Sequence, residues 1–464
     1  MQGNTSFYEF LKENAERYSD NTAILYDTFA VSYKKLFEDA VNKSIHLSHF
    51  EGKRIAIYGP SSYRWIVNMF GCILAGKDIV LVDFFMPHDE RVKLLDKVGV
   101  DYILCSTNQY ILSDSDASII ENADKDDVAG LEYDTSTKEG NVLMFTATAD
   151  ECDKAVVLNV QDILNTVSHI NRHCECRESD RLLAQIAFHR IFGYIYTLIW
   201  PLSCGACVCV GRGLRHMDAD TYYYNPTILP GNPSMIEYLK AIKAFNKELR
   251  TIIIGGASCS YRLFETLKDR DFEVYVVYGM EETTGSIAIN TEMDGSFELF
   301  DKHSVEVAVN GELLVHGSCV MLGYDNDTAA NEKVFMNGYL RTGDYGKFNS
   351  DGRLVITKRN PAVLLLPTGE KICRSVINKE ISDLSGIAES YITLYNDKLT
   401  AVIVPIDKQM GYDKIERKIN KYNERKGYRW EIQKIVVYDN ALPKDSEGNV
   451  DEEAVGDILD KALN

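Results

Sequence analysis

Hydrophobic and polar positions in the first quarter of the chain follow two alternating periods. Short apolar runs predict buried strands, and longer segments with an apolar residue every three or four positions predict amphipathic helices. The predicted elements are, in order, a helix over 5–17, a hairpin over 23–32, a helix over 33–50, a strand over 54–58, a helix over 62–75, a strand over 79–82, a helix over 89–98 and a strand over 102–104. Strands and helices that alternate in this way favour a parallel sheet covered by helices on its faces.

Beyond residue 105, the pattern of hydrophobic and polar positions differs from segment to segment. Residues 106–138 are polar and acidic, which predicts surface loops, and apolar strands follow at 141–145, 252–254 and 274–278. The most apolar long segment, 186–210, contains His189, Arg190 and Pro201, so it favours a buried helix, a turn and a strand over a membrane span. After residue 374, three amphipathic helices and three strands predict a small separate domain of mixed α and β structure.

The stretch from Tyr339 to Ile372 carries the densest set of turn signals. A Thr-Gly-Asp sequence at 342–344 predicts a turn before a short strand at 345–348, and N-S-D-G at 349–352 predicts a hairpin that returns through 354–356. Pro361 then breaks the pattern, and an apolar run at 363–366 ends in a second predicted turn, P-T-G-E.

Composition limits the architecture and the partners. The 464 residues are too many for one hydrophobic core, so two or more domains are expected. With 50 Lys and Arg against 69 Asp and Glu, the net charge of −19 argues against nucleic acid or an anionic membrane as the main partner. The 11 cysteines are an odd number and no leading segment resembles a signal peptide, so we expect reduced thiols in the cytoplasm.

Two groups of cysteines have spacings that a metal site could use: Cys174 with Cys176, and Cys204 with Cys207 and Cys209. The second group lies in an apolar, strand-like run. Buried inert thiols are therefore the favoured interpretation, and a metal site is the alternative.

The motifs of the 339–372 stretch resemble the adenylate-forming superfamily of acyl-CoA synthetases, nonribosomal peptide adenylation domains and luciferases. That superfamily carries Y-x-T-G-D, then D-G-x-L-x-I, then G-R-x-K/D, and an apolar run closed by a Gly-Glu turn. This chain follows the pattern without a gap, except that Lys358 replaces the glycine before the arginine. The resemblance extends from about Phe7 to Leu463.

The resemblance implies an α/β fold in two domains. Residues 1–360 would form an N-terminal AMP-binding domain of two packed αβ subdomains, with a small β-barrel-like region near 297–338. Residues 361–464 would form a small, mobile α+β C-terminal domain, and Pro361 would be the hinge between the two.

The resemblance also assigns roles to individual residues. Tyr278 would stack on adenine, Asp344 would hold both ribose hydroxyls, and Arg359 would also reach the ribose. The nucleotide-binding residues it implies are Thr146, Thr148, Gly255, Gly256, Ala257, Tyr278, Gly279, Glu281, Asp344 and Arg359. The catalytic residues it implies are Lys154, Glu282, Asn449 and His189, with Glu282 as the Mg²⁺ ligand, His189 beside the acyl pocket and Gly369 beside the thiol tunnel.

Three elements on the phosphate side depart from the superfamily pattern. The glycines of the phosphate loop are replaced by Thr148, Glu151 and Ala155, although glycine lets backbone amides curl around phosphate oxygens. Asn449 stands where the superfamily has a catalytic lysine, and Glu281 where it has threonine. A carboxylate at 281 repels a phosphate unless a metal or a proton intervenes, and the alternative interpretation is an acid that favours a helix start.

Two functions follow as hypotheses. The first is an AMP-forming ligase that activates a carboxylic acid with Mg·ATP and transfers the acyl group to a thiol, either CoA or a carrier protein. In that case Lys154, Lys444 or a bound cation could replace the lost positive charge. The second is a catalytically inactive relative that binds a nucleotide, an acyl group or a carrier-protein partner.

Overall fold

The computed structural model describes residues 6–106, 118–120, 132–147, 153–292, 294–359, 362–407, 410–427, 430–444 and 450–463. Thr148, Glu151, Pro361 and Asn449 lie outside these residues. The chain divides into two compact units. The first comprises Met1–Phe145 and Ala155–Arg359, and the second comprises Thr146–Lys154 and Asn360–Asn464.

The strands of the described residues are short, and most are wholly or partly buried. In chain order they are β1 (Thr22–Tyr26), β2 (Phe29–Ser32), β3 (Arg54–Tyr58), β4 (Asp78–Leu81), β5 (Tyr102–Cys105), β6 (Ser118–Ile120), β7 (Val142–Thr146), β8 (Lys154–Leu158), β9 (Arg181–Ala184), β10 (Cys207–Val210), β11 (Ile228–Gly231), β12 (Thr251–Ile254), β13 (Glu273–Tyr278), β14 (Ala288–Asn290), β15 (Glu298–Leu299), β16 (Val305–Val307), β17 (Glu312–Val315), β18 (Gly323–Tyr324), β19 (Phe335–Met336), β20 (Tyr339–Phe348), β21 (Leu354–Lys358), β22 (Val363–Leu365), β23 (Lys371–Cys373), β24 (Ile387–Tyr395), β25 (Lys398–Pro405) and β26 (Lys434–Val437).

Helices separate many of these strands. In chain order they are α1 (Phe7–Arg17), α2 (Tyr33–Ser48), α3 (Tyr63–Leu74), α4 (His88–Val98), α5 (Val160–His173), α6 (Ile191–Gly193), α7 (Trp200–Ser203), α8 (Met217–Tyr224), α9 (Pro233–Ala241), α10 (Tyr261–Lys268), α11 (Thr328–Val334), α12 (Arg374–Ser382), α13 (Tyr412–Lys426) and α14 (Glu452–Leu463). A π-helical segment, Tyr194–Ile199, joins α6 to α7, and short 3₁₀ helices cover Leu214–His216 and Glu281–Thr283. Each of four helices begins at a serine whose hydroxyl accepts a hydrogen bond from a first-turn amide: Ser6, Ser32, Ser62 and Ser260.

The first unit contains a nine-stranded sheet in the order β15-β14-β13-β12-β11-β9-β10-β1-β2. Its central pairs are parallel, and antiparallel pairs lie at both edges. Successive residues of a strand pack on opposite faces: Leu182 joins one core cluster and Leu183 another. Because both faces are covered, these strands are continuous apolar runs, as a parallel sheet requires.

A seven-stranded sheet, β18-β8-β7-β4-β3-β5-β6, contains the strands predicted at 54–58, 79–82 and 102–104, whereas the hairpin predicted over 23–32 lies at the edge of the nine-stranded sheet. Side chains from it and from the nine-stranded sheet share one core cluster, for example Ile55 and Val208. The prediction of surface loops throughout 106–138 is wrong at Ser118–Ile120, which pairs in parallel with β5. Three residues are too few for periodicity to separate a strand from a loop.

The expected barrel-like region is a five-stranded antiparallel sheet, with order β16-β17-β20-β19 and β21 paired to β20. The turn predicted for Thr-Gly-Asp is wrong, because those residues lie inside the ten-residue strand β20. The pairing shifts there: Arg341 faces Leu314, and Tyr345 faces Glu312. Gly343, at φ +72°, takes up the extra length as a bulge, a conformation that glycine adopts without strain.

The second unit has its own core. Its three-stranded sheet pairs β24 with β25 antiparallel and β25 with β26 in parallel. Side chains of α12 and α13 pack with one face of the sheet, and those of α14 pack with the other. The hairpin of β22 and β23 adds Leu364 and Ile372 to the first of these clusters.

Candidate functional site

Asp344 is held by the bulge in β20. The Glu312 carboxylate accepts hydrogen bonds from the Arg341 guanidinium, at 2.7 Å from Nη2, and from the Gly343 amide at 3.2 Å. The Thr342 hydroxyl accepts from the Asp344 amide at 3.1 Å and donates to the Leu313 carbonyl at 2.9 Å. These bonds hold the bulge from both sides and so orient the Asp344 carboxylate.

Tyr278, Asp344 and Arg359 form one cluster in the first unit. The Tyr278 hydroxyl donates to Asp344 Oδ2 at 2.9 Å, and Arg359 Nη1 donates to the same oxygen at 2.6 Å. The Arg359 guanidinium also lies over the Tyr278 ring, 4.8 Å from its centroid. Burial, together with the Asp344 carboxylate, raises the pKa of Tyr278 well above its ordinary value, so its hydroxyl stays protonated as a donor.

Two strand-end turns of the nine-stranded sheet carry the other predicted adenosine-side residues. Gly255 follows β12, and a Cβ there would lie 2.4 Å from the Phe192 ring, so only glycine fits. Gly256 is exposed and Ala257 is half-buried beyond it. Gly279 follows β13, where its Cα approaches the backbone of Gly285 and Ser286 too closely for a side chain. Both turns therefore present backbone rather than side chains.

Glu281 and Glu282 open the 3₁₀ helix that follows Gly279. Glu282 is 2% exposed, and its Oε1 accepts a hydrogen bond from the Tyr324 hydroxyl at 3.0 Å. The Glu282 backbone carbonyl accepts from the Met321 amide, which ties this turn to the segment before β18. Glu281 is half-buried at the helix start, a position where a carboxylate is favourable.

His189 precedes α6 and lies beside an aspartate. Its Nε2 is 3.7 Å from Asp83 Oδ2, and both side chains are largely buried. Asp83 Oδ1 accepts from the Phe85 amide at 2.9 Å, so the carboxylate is oriented by its own loop. Residues 191–199, which form α6 and the π-helical segment, are buried, and Tyr196 of the π-helical segment contacts Phe192 of α6 at a centroid distance of 5.0 Å. Such π segments often occur at functional sites.

The two ends of the predicted phosphate loop, Thr146 and Lys154, belong to the second unit. Thr146 is buried, and its Oγ1 accepts a hydrogen bond from Lys371 Nζ at 3.3 Å. Lys154, at the other end, is also buried. Thr148, Asp150 and Glu151 lie outside the described residues.

Gly369 lies in the turn between β22 and β23, at φ +81°. Its amide donates to the Leu366 carbonyl at 2.8 Å, and the Leu366 amide donates to the Glu370 carbonyl at 2.9 Å. Lys444, a candidate replacement cation, lies 3.7 Å from Glu389 Oε2. Pro361 and Asn449 lie outside the described residues.

The cysteine groups are close-packed thiols. Cys174 is buried, which raises its pKa to about 12, and Cys204 Sγ donates to Asn171 Oδ1 at 3.2 Å. Within the described ranges, no group of three or more His, Cys, Asp or Glu side chains is arranged to hold a metal ion.

The part of the chain that the structure describes also contains no helix with the length and apolarity to cross a membrane.

Sequence reasoning missed four side chains: Asp83, Glu312, Tyr324 and Lys371. Two of them could have been found from the sequence. Asp83 ends the V-x-x-D sequence that begins in β4, and Lys371 directly follows the Gly-Glu turn. Glu312 and Tyr324 had no such signal, because each acts on a partner about 30 or more residues away.

The two α/β sheets, the antiparallel sheet after them and the small α+β unit together define the fold of the adenylate-forming enzymes. The match to the AMP-binding enzyme family covers residues 11–325. The chain belongs to that family.

Similar proteins agree with this assignment. A curated relative, 2-succinylbenzoate–CoA ligase of Staphylococcus epidermidis, is 22% identical over 96% of this chain and 97% of its own. A double mutant of o-succinylbenzoate CoA synthetase from Bacillus subtilis, bound with its product analogue, superposes with a TM-score of 0.82 at 20% identity, over 97% of this chain and 98% of that one. The same enzyme in complex with ATP and magnesium gives 0.69 at 20% identity, over 95% and 98%. At these identities the structures show a shared fold.

Proposed function

We propose that the protein is an AMP-forming acid–thiol ligase. It binds Mg·ATP, joins a carboxylic acid to the α-phosphorus with release of pyrophosphate, and passes the acyl group to the thiol of CoA or of a carrier protein. The observation that supports this best is the Tyr278–Asp344–Arg359 cluster. It places an aromatic ring, a carboxylate acceptor and a guanidinium together, which are the groups that bind a base and a ribose diol.

The chain's own residues have distinct tasks in this proposal. Tyr278 faces adenine. The Asp344 carboxylate accepts hydrogen bonds from the ribose hydroxyls, which replace the donors that it holds in this structure. Arg359 holds that carboxylate in place through a charge-assisted hydrogen bond of 2.6 Å. The strand-end turns at Gly255 and Gly279 let the base approach the backbone. His189 borders the carboxylic acid, oriented by Asp83.

The buried carboxylate of Glu282 is suited to bind Mg²⁺. Mg²⁺ is bound through one or two carboxylates together with substrate phosphates and water. Glu282 would supply such an oxygen, since its side chain is buried and the Tyr324 hydroxyl holds the carboxylate through Oε1. The bound ion would neutralise charge on the phosphates. Lys154 would add a positive group at the phosphate-loop end.

Two features of the proposal rest on the sequence. One is the division into an AMP-binding domain, residues 1–360, and a C-terminal domain, residues 361–464, with Pro361 as the hinge. The thiol tunnel beside Gly369 is the other. The acceptor is either CoA, which the named relatives use, or a carrier protein.

A second candidate function is a nucleotide-binding relative without turnover. Glu281 and Asn449 favour it, since both lower the positive charge available to phosphate. The test is carboxylate-dependent pyrophosphate release from ATP over short, long and aromatic acids, followed by thioester formation with CoA. Pyrophosphate release with any acid supports the ligase. Nucleotide binding without release, over the whole panel, supports the second candidate.

A further inference from the structure

Glu312 is the first residue of β17 and is 5% exposed, a depth at which a carboxylate needs partners. Its two oxygens have different partners. Oε2 accepts hydrogen bonds from Arg341 Nε at 3.1 Å and from Arg341 Nη2 at 2.7 Å, whereas Oε1 accepts from the Gly343 amide at 3.2 Å. Both donors lie on β20 just before Asp344. The Glu312 carboxylate therefore joins β17 to the part of β20 that leads into Asp344.

The direction of the Asp344 side chain depends on the backbone of the residue before it. Gly343 has a φ of +72° within the bulge, and its amide donates to the Glu312 side chain. An amide that loses its acceptor destabilises the conformation that it stabilised before. Because Asp344 follows directly, a rotation of the Gly343 backbone would turn the Asp344 carboxylate to a new direction.

The geometry at Glu312 requires two acceptor oxygens. A glutamine has the same shape, but its amide group carries one acceptor oxygen and one donor nitrogen. At position 312 it would accept from either Arg341 or Gly343, and its nitrogen would face the other donor. The change from glutamate to glutamine therefore removes one of the two connections without changing the size of the side chain.

We propose that Glu312 is a positioning residue for ribose recognition, which holds the bulge so that the Asp344 carboxylate accepts from both ribose hydroxyls. The inference rests on the proposed function, since it needs Asp344 to bind the ribose. It goes beyond that function because it makes selectivity for an intact ribose diol depend on a side chain of the neighbouring strand. Glu312 acts through Gly343 and Asp344, and it leaves the binding of the base and the phosphate unchanged.

The experiment compares AMP with 2′,3′-dideoxy-AMP by calorimetric titration of the full chain. The two ligands share base and phosphate, so the ratio of their dissociation constants reports the contribution of the ribose hydroxyls alone. Wild type, Glu312→Gln and the control Glu306→Gln are titrated. Glu306 is an exposed glutamate of β16 in the same sheet, and it accepts a hydrogen bond from the Tyr339 hydroxyl at 2.7 Å. The control therefore makes the same chemical change away from the bulge.

We expect wild type to bind AMP at least about tenfold more tightly than the dideoxy ligand, the effect of hydrogen bonds to a charged group. Glu312→Gln should weaken AMP by about tenfold and leave the dideoxy ligand within about twofold, since that ligand has no hydroxyl to lose. Glu306→Gln should match wild type for both ligands.

The inference is overturned if Glu312→Gln keeps the wild-type ratio of the two dissociation constants. It is also overturned if both ligands weaken equally, since that identifies a general structural role. Should Glu312→Gln fail to fold, Arg341→Met replaces it, because Arg341 is exposed and its loss removes the donors that orient Glu312 Oε2. An unchanged ratio in Arg341→Met then overturns the inference.

The proposed function fails in a different way. A wild-type protein that binds neither ligand would overturn that function and this inference together. Equal binding of both ligands by wild type would overturn the ribose role of Asp344, and the inference with it. A wild-type preference for AMP that Glu312→Gln retains overturns the inference alone.

Discussion

Two regions of the molecule surround their carboxylates with different groups. In the proposed adenosine site, Asp344 is buried and accepts hydrogen bonds from Tyr278 and Arg359. On the phosphate side, the sequence places Asp150, Glu151, Asp153 and Glu281 where a polyanion would approach. The first region provides donors to a carboxylate, and the second adds carboxylates where donors would be expected.

The difference indicates which part of the proposed site the chain has kept. A base and a ribose need stacking and hydrogen bonds, which the Tyr278 cluster offers. A triphosphate needs positive charge in a site with little water, because the charge develops further in the transition state. We therefore expect nucleoside binding to be more robust than adenylation.

Replacing Asp344 by Ala should weaken AMP binding by about 30-fold or more. The substitution removes the hydrogen bonds that the Asp344 carboxylate would accept from the ribose hydroxyls, and a hydrogen bond to a charged group contributes about 1.5–3 kcal/mol. Asp351→Ala, in the exposed hairpin turn, is the control. Calorimetric titration measures the affinity. If Asp344→Ala binds AMP as the wild type does, Asp344 is not a ribose-binding residue.

Replacing Asn449 by Lys should raise pyrophosphate release by about tenfold or more, since a charged group would again stabilise the transition state. The neutral Asn449→Gln is the control, because it changes size without adding charge. Steady-state pyrophosphate release over the acid panel is the measurement.

Two other outcomes would correct this view of Asn449. No response to Asn449→Lys, but a response once glycine also replaces Thr148, Glu151 and Ala155, would make the loop limiting. Wild-type turnover already at roughly 1–10³ per second would mean that another cation occupies the lysine's place.

AMP should bind at least as tightly as ATP, with dissociation constants within about threefold in the absence of magnesium. The added phosphates meet acidic residues rather than glycine amides, so they gain little affinity. Titrations without and with Mg²⁺ check this, with adenosine as the reference ligand. ATP binding more than tenfold tighter than AMP binding would show that the loop still holds phosphate well.

Asp162 shows what burial does to a carboxylate in the first unit. Burial raises its pKa from 3.8 to about 7, and Cys319 is a titratable neighbour. The folded state thus holds the proton more tightly than the unfolded state. The contribution of Asp162 to the free energy of unfolding is therefore fully present below the unfolded pKa of about 4. It is lost as the pH rises from about 4 to 7 and stays absent above 7.

Asp162→Asn mimics the protonated form, so it should raise the apparent melting temperature at pH 8 by about 2–4 °C and leave it unchanged near pH 4. Asp89→Asn, an exposed acid in the first turn of α4, is the matched control. Thermal melts at the two pH values measure the shift. An equal gain at both values would mean that the substitution acts through packing.

The class of fold and the family can both be predicted from the amino-acid sequence. The alternation of apolar runs and amphipathic segments predicted the parallel sheets, and both the α/β fold and the resemblance to the adenylate-forming superfamily are confirmed. Such patterns are local, because each strand or helix shows its period within a few residues. The motif positions of Tyr278, Asp344 and Arg359 could be named for the same reason, and their roles stay predictions.

The contacts between distant side chains, in contrast, are visible only in the folded chain. Tyr278 and Asp344 are 66 residues apart, and Lys371 and Thr146 are 225 apart. The sequence predicts a turn where Thr-Gly-Asp forms a bulge, because the bulge depends on a hydrogen bond from the Gly343 amide to Glu312 on a neighbouring strand. Contacts of this kind depend on how strands are ordered in a sheet, and no period within a single segment records that order.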